Sequence, residues 1–270
     1  MTGITHSQQD AIKYITEKFY QDENILTLLL SGSIAHGYND ERSDVDLNII
    51  VTDVVYEQKK NVTALHFYES AEQFYYGGYF GGIGGKYISL SYLTLVAERG
   101  NEPTRFALGN AKILFDRTGE MEERLKKIGT YDNSCVEEKA LRFLAQAENW
   151  KLYCDEAFQK KNPYLLNTAV MKLVLFGGRL ILLENRIFFP YHKWFLRALE
   201  TATKKPTGFM TLIYKLLDEK SPENVTAFYD AIKTYKDWSN GKEHNWNWGA
   251  YCVRDVETMW MRGEDNIENI

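Results

Sequence analysis

Apolar residues recur with two different periods along this chain, and the change between them divides it. In the first half the apolar stretches are short. Ile25 to Leu30 is nearly continuous, broken only by Thr27, and fits a strand buried on both faces. Asp46 to Thr52, rich in Ile and Val, predicts a second strand. Tyr87 to Leu95 predicts a third, with Ile88, Leu90 and Tyr92 on one face and Tyr87, Ser89, Ser91 and Leu93 on the other. Lys112 to Phe115 predicts a short edge strand. Ahead of them, Ser7 is placed to cap a helix that presents Ala11, Ile12, Ile15 and Phe19 on one side.

From about Glu120 the period becomes helical. Val136, Ala140, Phe143, Leu144 and Ala147 mark one helix face. Asn162-Pro163 is a helix start, with Asn as cap and Pro in the first turn, and the helix is expected to reach Glu184. Further helical patterns cover Trp194 to Ala202, Met210 to Leu217, Asn224 to Tyr235 and Ala250 to Met261. The expected architecture is an α/β domain over residues 1–128 followed by a helical bundle over residues 129–270. Residues 77–85 hold six glycines, Gly77, Gly78, Gly81, Gly82, Gly84 and Gly85, but no Lys-Ser/Thr follows and no GxGxxG register opens a helix. A flexible hairpin or loop is the reading for them.

Composition narrows the function classes. The 270 residues, 44% hydrophobic, suffice for one large or two ordinary globular domains. The formal net charge of −5 lacks the basic excess that phosphate neutralisation along a nucleic acid demands, so a long RNA or DNA partner is disfavoured. Cys135, Cys154 and Cys252 are sparse and unpaired in spacing, which points to reduced thiols and a cytoplasmic location. The N-terminus has no signal-peptide pattern, and the longest apolar run, Leu173 to Leu183, is interrupted by Gly177, Gly178 and Arg179. No membrane partner is expected. The five histidines show no zinc-ligand spacing.

The chemistry concentrates in LLLSGSIAHGYNDERSDVDLNIIV, residues 28–51. A buried strand ends at Ser31-Gly32-Ser33, where a short helix is expected to begin. Glycine lets the backbone approach a ligand closely. Helix N-terminal N–H groups can meet an anion, and Ser33 adds a hydroxyl. Eleven residues after Ser33, following Ser43, comes Asp44, and then Asp46. Positions i and i+2 of a strand share a face, so both carboxylates project into one space. Two hard oxygen ligands suit Mg²⁺ when triphosphate oxygens and water complete its shell. Alone, a Gly-Ser pair is usually a turn and a DxD at a strand end is usually solvated. The whole order of strand, Gly-Ser, helix, turn, Ser-Asp-x-Asp and strand is far more specific.

That segment resembles the nucleotidyltransferase superfamily that includes DNA polymerase beta and the antibiotic adenylyltransferases. An α/β domain followed by a helical bundle is similar to the aminoglycoside and lincosamide nucleotidyltransferases. The resemblance implies a mixed sheet with flanking helices, a loop at Gly32 and Ser33 holding the β- and γ-phosphates, and Mg²⁺ on Asp44 and Asp46. It implies transfer of a nucleoside monophosphate, AMP from ATP, to a hydroxyl of a small molecule such as an antibiotic, with pyrophosphate leaving. Ser43, beside the first aspartate, is assigned to the same nucleotide site. A homodimer is plausible by analogy.

Members of that superfamily usually carry a third carboxylate on a later strand. Residue order and strand phase place it at Ser89, where serine is neutral and a poor base at neutral pH. Glu69 and Glu72 are nearby acids in a different register. The alternatives are therefore a nucleotide-binding regulatory module with an impaired site, or transfer to a protein side chain. In the helical half, Arg179, Arg186, His192 and Lys193 sit among aromatics, and the Tyr191–Trp194 stretch resembles a bacterial branch of these proteins. Lys193 is the candidate from that half for contact with the triphosphate, with Arg179 as its rival. The HNWNWGAY run, residues 244–251, and Trp260 are expected to pack against the core.

Overall fold

The computed structural model describes residues 3–74, 81–241, 247–264, 266–268 and 270, with nothing stated of the Trp260 side chain. They form two units, Met1–Thr130 and Tyr131–Ile270.

The first unit carries α1 (His6–Tyr20), β1 (Ile25–Ser31), α2 (Gly32–His36), β2 (Val45–Val51), α3 (Asp53–Asn61), β3 (His66–Glu69), β4 (Ile83–Ser89), α4 (Leu90–Arg99), α5 (Glu102–Gly109), β5 (Lys112–Asp116) and α6 (Met121–Gly129). The strands form one mixed sheet in the order β3-β4-β2-β1-β5. Only β2 and β4 run parallel; the other neighbours are antiparallel. The central strands have apolar residues on both faces because helices cover both. On one face Leu28, Leu30, Leu47, Ile49, Val51 and Ile83 pack with Ala11, Ile15 and Phe19 of α1. On the other, Leu29, Ile50 and Ile88 pack with Leu93 and Val96 of α4, Leu108 of α5 and Met121, Leu125 and Ile128 of α6. This second core lies toward one end of its face, and the residues described below lie toward the other.

Several expectations change here. Thr5, not Ser7, caps α1, through a reciprocal pair: Gln8 N–H donates to Thr5 Oγ1 (3.2 Å) and Thr5 N–H donates to Gln8 Oε1 (3.0 Å). The third strand is Ile83–Ser89 and does not continue to Leu95. Ser89 ends it by capping α4, accepting from Tyr92 N–H (3.2 Å). The glycine-rich stretch is only partly a loop: Gly84 and Gly85 lie inside β4, and Gly77 and Gly78 fall outside the described residues. β3 and α3 to α6 are elements the apolar pattern did not predict.

The second unit contains α7 (Val136–Gln159), α8 (Pro163–Glu184), α9 (Phe195–Thr201), α10 (Phe209–Asp218), α11 (Pro222–Tyr235) and α12 (Trp248–Cys252). Asn162 caps α8 as expected, accepting from Leu165 N–H (3.1 Å). The final predicted helix is shorter; a π turn (Val253–Glu257) and a 3₁₀ turn (Met259–Met261) replace its remainder. Residues 244–246 of the HNWNWGAY run lie outside the described residues. By length and composition α8 could cross a membrane, which the interrupted run Leu173 to Leu183 did not suggest. Most of it is buried inside this unit, as the core helix of a bundle. Gly177 and Gly178 give that helix its close neighbours. A Cβ would stand 2.8 Å from Phe228 at position 177, and 2.3 Å from Phe195 at position 178.

Candidate functional site

Residues directly opposite one another on paired strands share a face. The register pairs Ser31 with Asp46, Asp46 with Gly84, and Asn48 with Lys86. It pairs Gly84 with Tyr68 and Lys86 with His66. One row of side chains therefore crosses four strands at the end of the sheet beyond the core packed under α4 to α6. These residues line an open cavity of about 390 Å³, together with Gly32, Asp44, Leu47, Gly85 and Ala107.

Asp46 stands on β2, and Asp44 immediately precedes the strand. Both line the cavity, as the i, i+2 spacing requires. Gly32 lies hard against Asp46: a Cβ there would come within 1.8 Å of Oδ2. Its φ of +63° is also one that favours glycine. The β1–α2 turn thus brings bare backbone beside a carboxylate. α2 has only five residues, so its dipole is small, and backbone proximity is the main contribution of this turn. His36 ties it down. Its Nδ1 is 2.8 Å from the Gly32 carbonyl, its Nε2 is 3.2 Å from the Phe106 carbonyl, and its ring stacks on Phe106 at 4.4 Å.

The turn before Asp44 is held from α1. Gln8, fully buried, donates through Nε2 to the carbonyls of Asp40 (2.8 Å) and Ser43 (3.0 Å). Ser43 Oγ donates to Asp40 Oδ1 (3.1 Å) and accepts from Asp40 N–H (2.9 Å). The N–H of Arg42 and the Ser43 hydroxyl on its carboxylate hold Asp40 below the ordinary carboxylate value.

The remaining expected residues stand as follows. Ser43 is engaged in this turn. Ser33 is 5% exposed within α2 and is not among the cavity-lining residues. Lys193 belongs to the second unit, exposed, with its ammonium 5.0 Å from the Trp194 ring. Arg179 is buried in the helical core between Phe143 (4.3 Å) and Phe189 (4.6 Å) and donates to the carbonyls of Glu268 and Ile270. Glu69 lies on the α1 side of the sheet. Burial would raise its carboxyl, but hydrogen bonds from Lys18 (2.6 Å) and Tyr14 (2.8 Å) hold it below the usual range.

Ser89, where a third carboxylate was expected, does not stand beside the aspartates. It pairs with Val51, five residues along β4 from Gly84 and so roughly 16 Å from the neighbour of Asp46. The positions beside the aspartates on this face are Gly84, Asn48 and Lys86. Sequence reading missed Asn48, Lys86, His66 and Gln8. One signal was present: Asn48 is the single amide in the otherwise apolar run LNIIV. It is 1% exposed, and its Oδ1 has no hydrogen-bond partner among the described residues.

No protein-family model and no curated protein matches the chain. Among solved structures it is similar to a nucleotidyltransferase-like protein from Exiguobacterium sibiricum. The identity is 13%, 96% of this chain and 81% of that chain are covered, and the TM-score is 0.44.

Proposed function

We propose that this face binds a nucleoside triphosphate with Mg²⁺ and transfers its nucleoside monophosphate, AMP from ATP, to a hydroxyl of a small molecule. The observation that carries the reading is the approach of Gly32 to Asp46 within a cavity that Asp44 also lines. Bare backbone beside two carboxylates accommodates a phosphate chain and the cation that accompanies it.

The donor set fits Mg²⁺. Asp44 and Asp46 offer hard carboxylate oxygens. Among the described residues no group of three or more His, Cys, Asp or Glu is placed to hold a metal ion. Two carboxylates suffice for an ion that keeps several waters and takes its other ligands from substrate phosphates. Once bound, it would neutralise charge developing on the transferred phosphoryl group. The protein's own part is positioning. Gln8 and Ser43 fix the turn that carries Asp44, and His36 fixes the turn that carries Gly32. In the transfer, the acceptor oxygen bonds to the α-phosphorus and the α–β bridging bond breaks. Pyrophosphate leaves with that electron pair, and the hydroxyl proton passes to water.

A second reading, a nucleotide-binding module with little or no transfer, is favoured by one observation: among the described residues no third acid stands on this face beside the aspartates, where Gly84, Asn48 and Lys86 occur. Calorimetric titration with Mg²⁺ and a non-hydrolysable ATP analogue tests what the two readings share. Asp46→Asn should weaken Mg²⁺-dependent binding at least roughly tenfold. Unchanged binding would refute both. Pyrophosphate release with ATP and a hydroxyl acceptor then separates the enzyme from the module.

A further inference from the structure

The row that carries Asp46 continues beyond it, and nothing in nucleotide binding accounts for the continuation. On the β1 side stand Ser31 and Gly32. On the β4 and β3 side stand Gly84, Lys86, Tyr68 and His66, with Asn48 next along β2. Neighbouring strands are ~4.8 Å apart, so Lys86 lies about 10 Å across the sheet from the β1 edge of the site and His66 one strand farther.

In-line displacement at phosphorus puts the leaving pyrophosphate and the attacking oxygen on opposite sides. With the phosphate chain against Gly32, the attacking hydroxyl must arrive from the β4 side. Three features there suit it. Gly84, directly opposite Asp46, leaves open space: a Cβ at that position meets nothing within 4 Å. Asn48 is buried, lines the cavity, and keeps an amide oxygen without a partner among the described residues. Such an atom is costly in a folded protein unless something outside the chain completes it. Lys86 is exposed, lines the same cavity, and has no ion-pair partner among the described residues.

We infer that Gly84, Asn48 and Lys86 form the acceptor subsite, and that the acceptor is an anionic hydroxy compound. Its hydroxyl donates to Asn48 Oδ1, and its carboxylate or phosphate meets the Lys86 ammonium. Beyond the two aspartates the described residues of this wall include no acid, so they offer a polycationic acceptor nothing further to pair with. The inference rests on the transfer reading above and assigns its second substrate.

The test uses the full chain saturated with Mg²⁺ and a non-hydrolysable ATP analogue. Four probes are titrated in: glycerol 3-phosphate, gluconate, glycerol and glucosamine. At least one anionic probe should bind tenfold or more tighter than glycerol and glucosamine, and which one does so separates phosphate from carboxylate. Lys86→Glu should abolish that preference. Equal binding of all four, binding of none, or preference for glucosamine overturns the inference. So does a Lys86→Glu effect on analogue affinity alone, which would assign the lysine to the nucleotide. Asn48→Leu supplies a readout without ligand: removing the unpartnered amide should raise the melting temperature of the unliganded protein by about 2–4 °C, while weakening probe binding. A lower melting temperature would show that the amide serves the fold. Failure of the wild type to bind the Mg²⁺–analogue complex strikes the transfer reading itself; normal analogue binding without anion preference strikes only this inference.

Discussion

A methyl group at position 32 would land 1.8 Å from the Asp46 carboxylate, at a φ of +63°. Gly32→Ala is therefore strained twice, by its backbone and by contact. It should cost about 1–3 kcal/mol of stability, read by denaturant unfolding, and displace Asp46 enough to weaken Mg²⁺–nucleotide binding. A stable, fully binding Gly32→Ala protein would remove the argument from close approach. The register makes a paired prediction about an added acid. Gly84→Asp places a carboxylate beside Asp46 in open space and should raise Mg²⁺ affinity roughly tenfold. Ser89→Asp only exchanges one good helix cap for another at the far end of β4, leaving Mg²⁺ affinity unchanged. Calorimetry on both variants checks the pair; the opposite ranking would place the third ligand at position 89 and not at position 84. Asp44 and Asp46 were legible in the sequence because their shared face follows from spacing alone. Lys86 and His66 were not, because they reach Asn48 only through strand pairing across tens of residues.

At the scale of elements, the β5–α6 junction depends on one ionised side chain. Asp116 accepts from the Thr27 hydroxyl (2.7 Å), the Thr118 N–H (2.9 Å) and hydroxyl (2.8 Å), and the Met121 N–H (3.1 Å). Burial would raise its carboxyl, but these donors outweigh it and hold the group below its ordinary value of 3.8. The folded value lies below the unfolded one. This stabilisation is thus complete above the unfolded value and disappears as pH falls through the folded value. Asp116→Asn should lower stability at neutral pH and flatten the loss of stability below about pH 4, followed by urea unfolding across pH. Gln8 acts similarly for the turn before Asp44, and Gln8→Ala should cost about 1–3 kcal/mol. β1 and β2 were legible because doubly buried strands are continuous in apolar residues. α4 was not, because Ile88, Leu90 and Tyr92 alternate like a strand while Leu90, Leu93 and Val96 also recur at helical spacing. β3 has four residues on a sheet edge, with His66 and Tyr68 exposed, and leaves no apolar run to read.

The whole molecule holds its cores in two units, and the candidate cavity lies in the first. Gly178→Ala would drive a methyl into Phe195, 2.3 Å away, and overpack the second. It should destabilise that unit by about 1–3 kcal/mol, seen by calorimetric melting, while Mg²⁺–analogue binding at temperatures below melting persists. The helical pattern past residue 136 was legible because long amphipathic periods survive local irregularity. The burial of Arg179 was not, since its partners are aromatic rings and distant carbonyls that no spacing reveals. The most direct measurement of the central claim is a crystal structure with Mn²⁺ and a non-hydrolysable ATP analogue, with anomalous scattering locating the metal. The account predicts Mn²⁺ bridging Asp44 and Asp46 to the triphosphate, with the phosphate chain against Gly32 and the space beside Gly84 left open. Nucleotide bound elsewhere, or Mn²⁺ without contact to either aspartate, would contradict it.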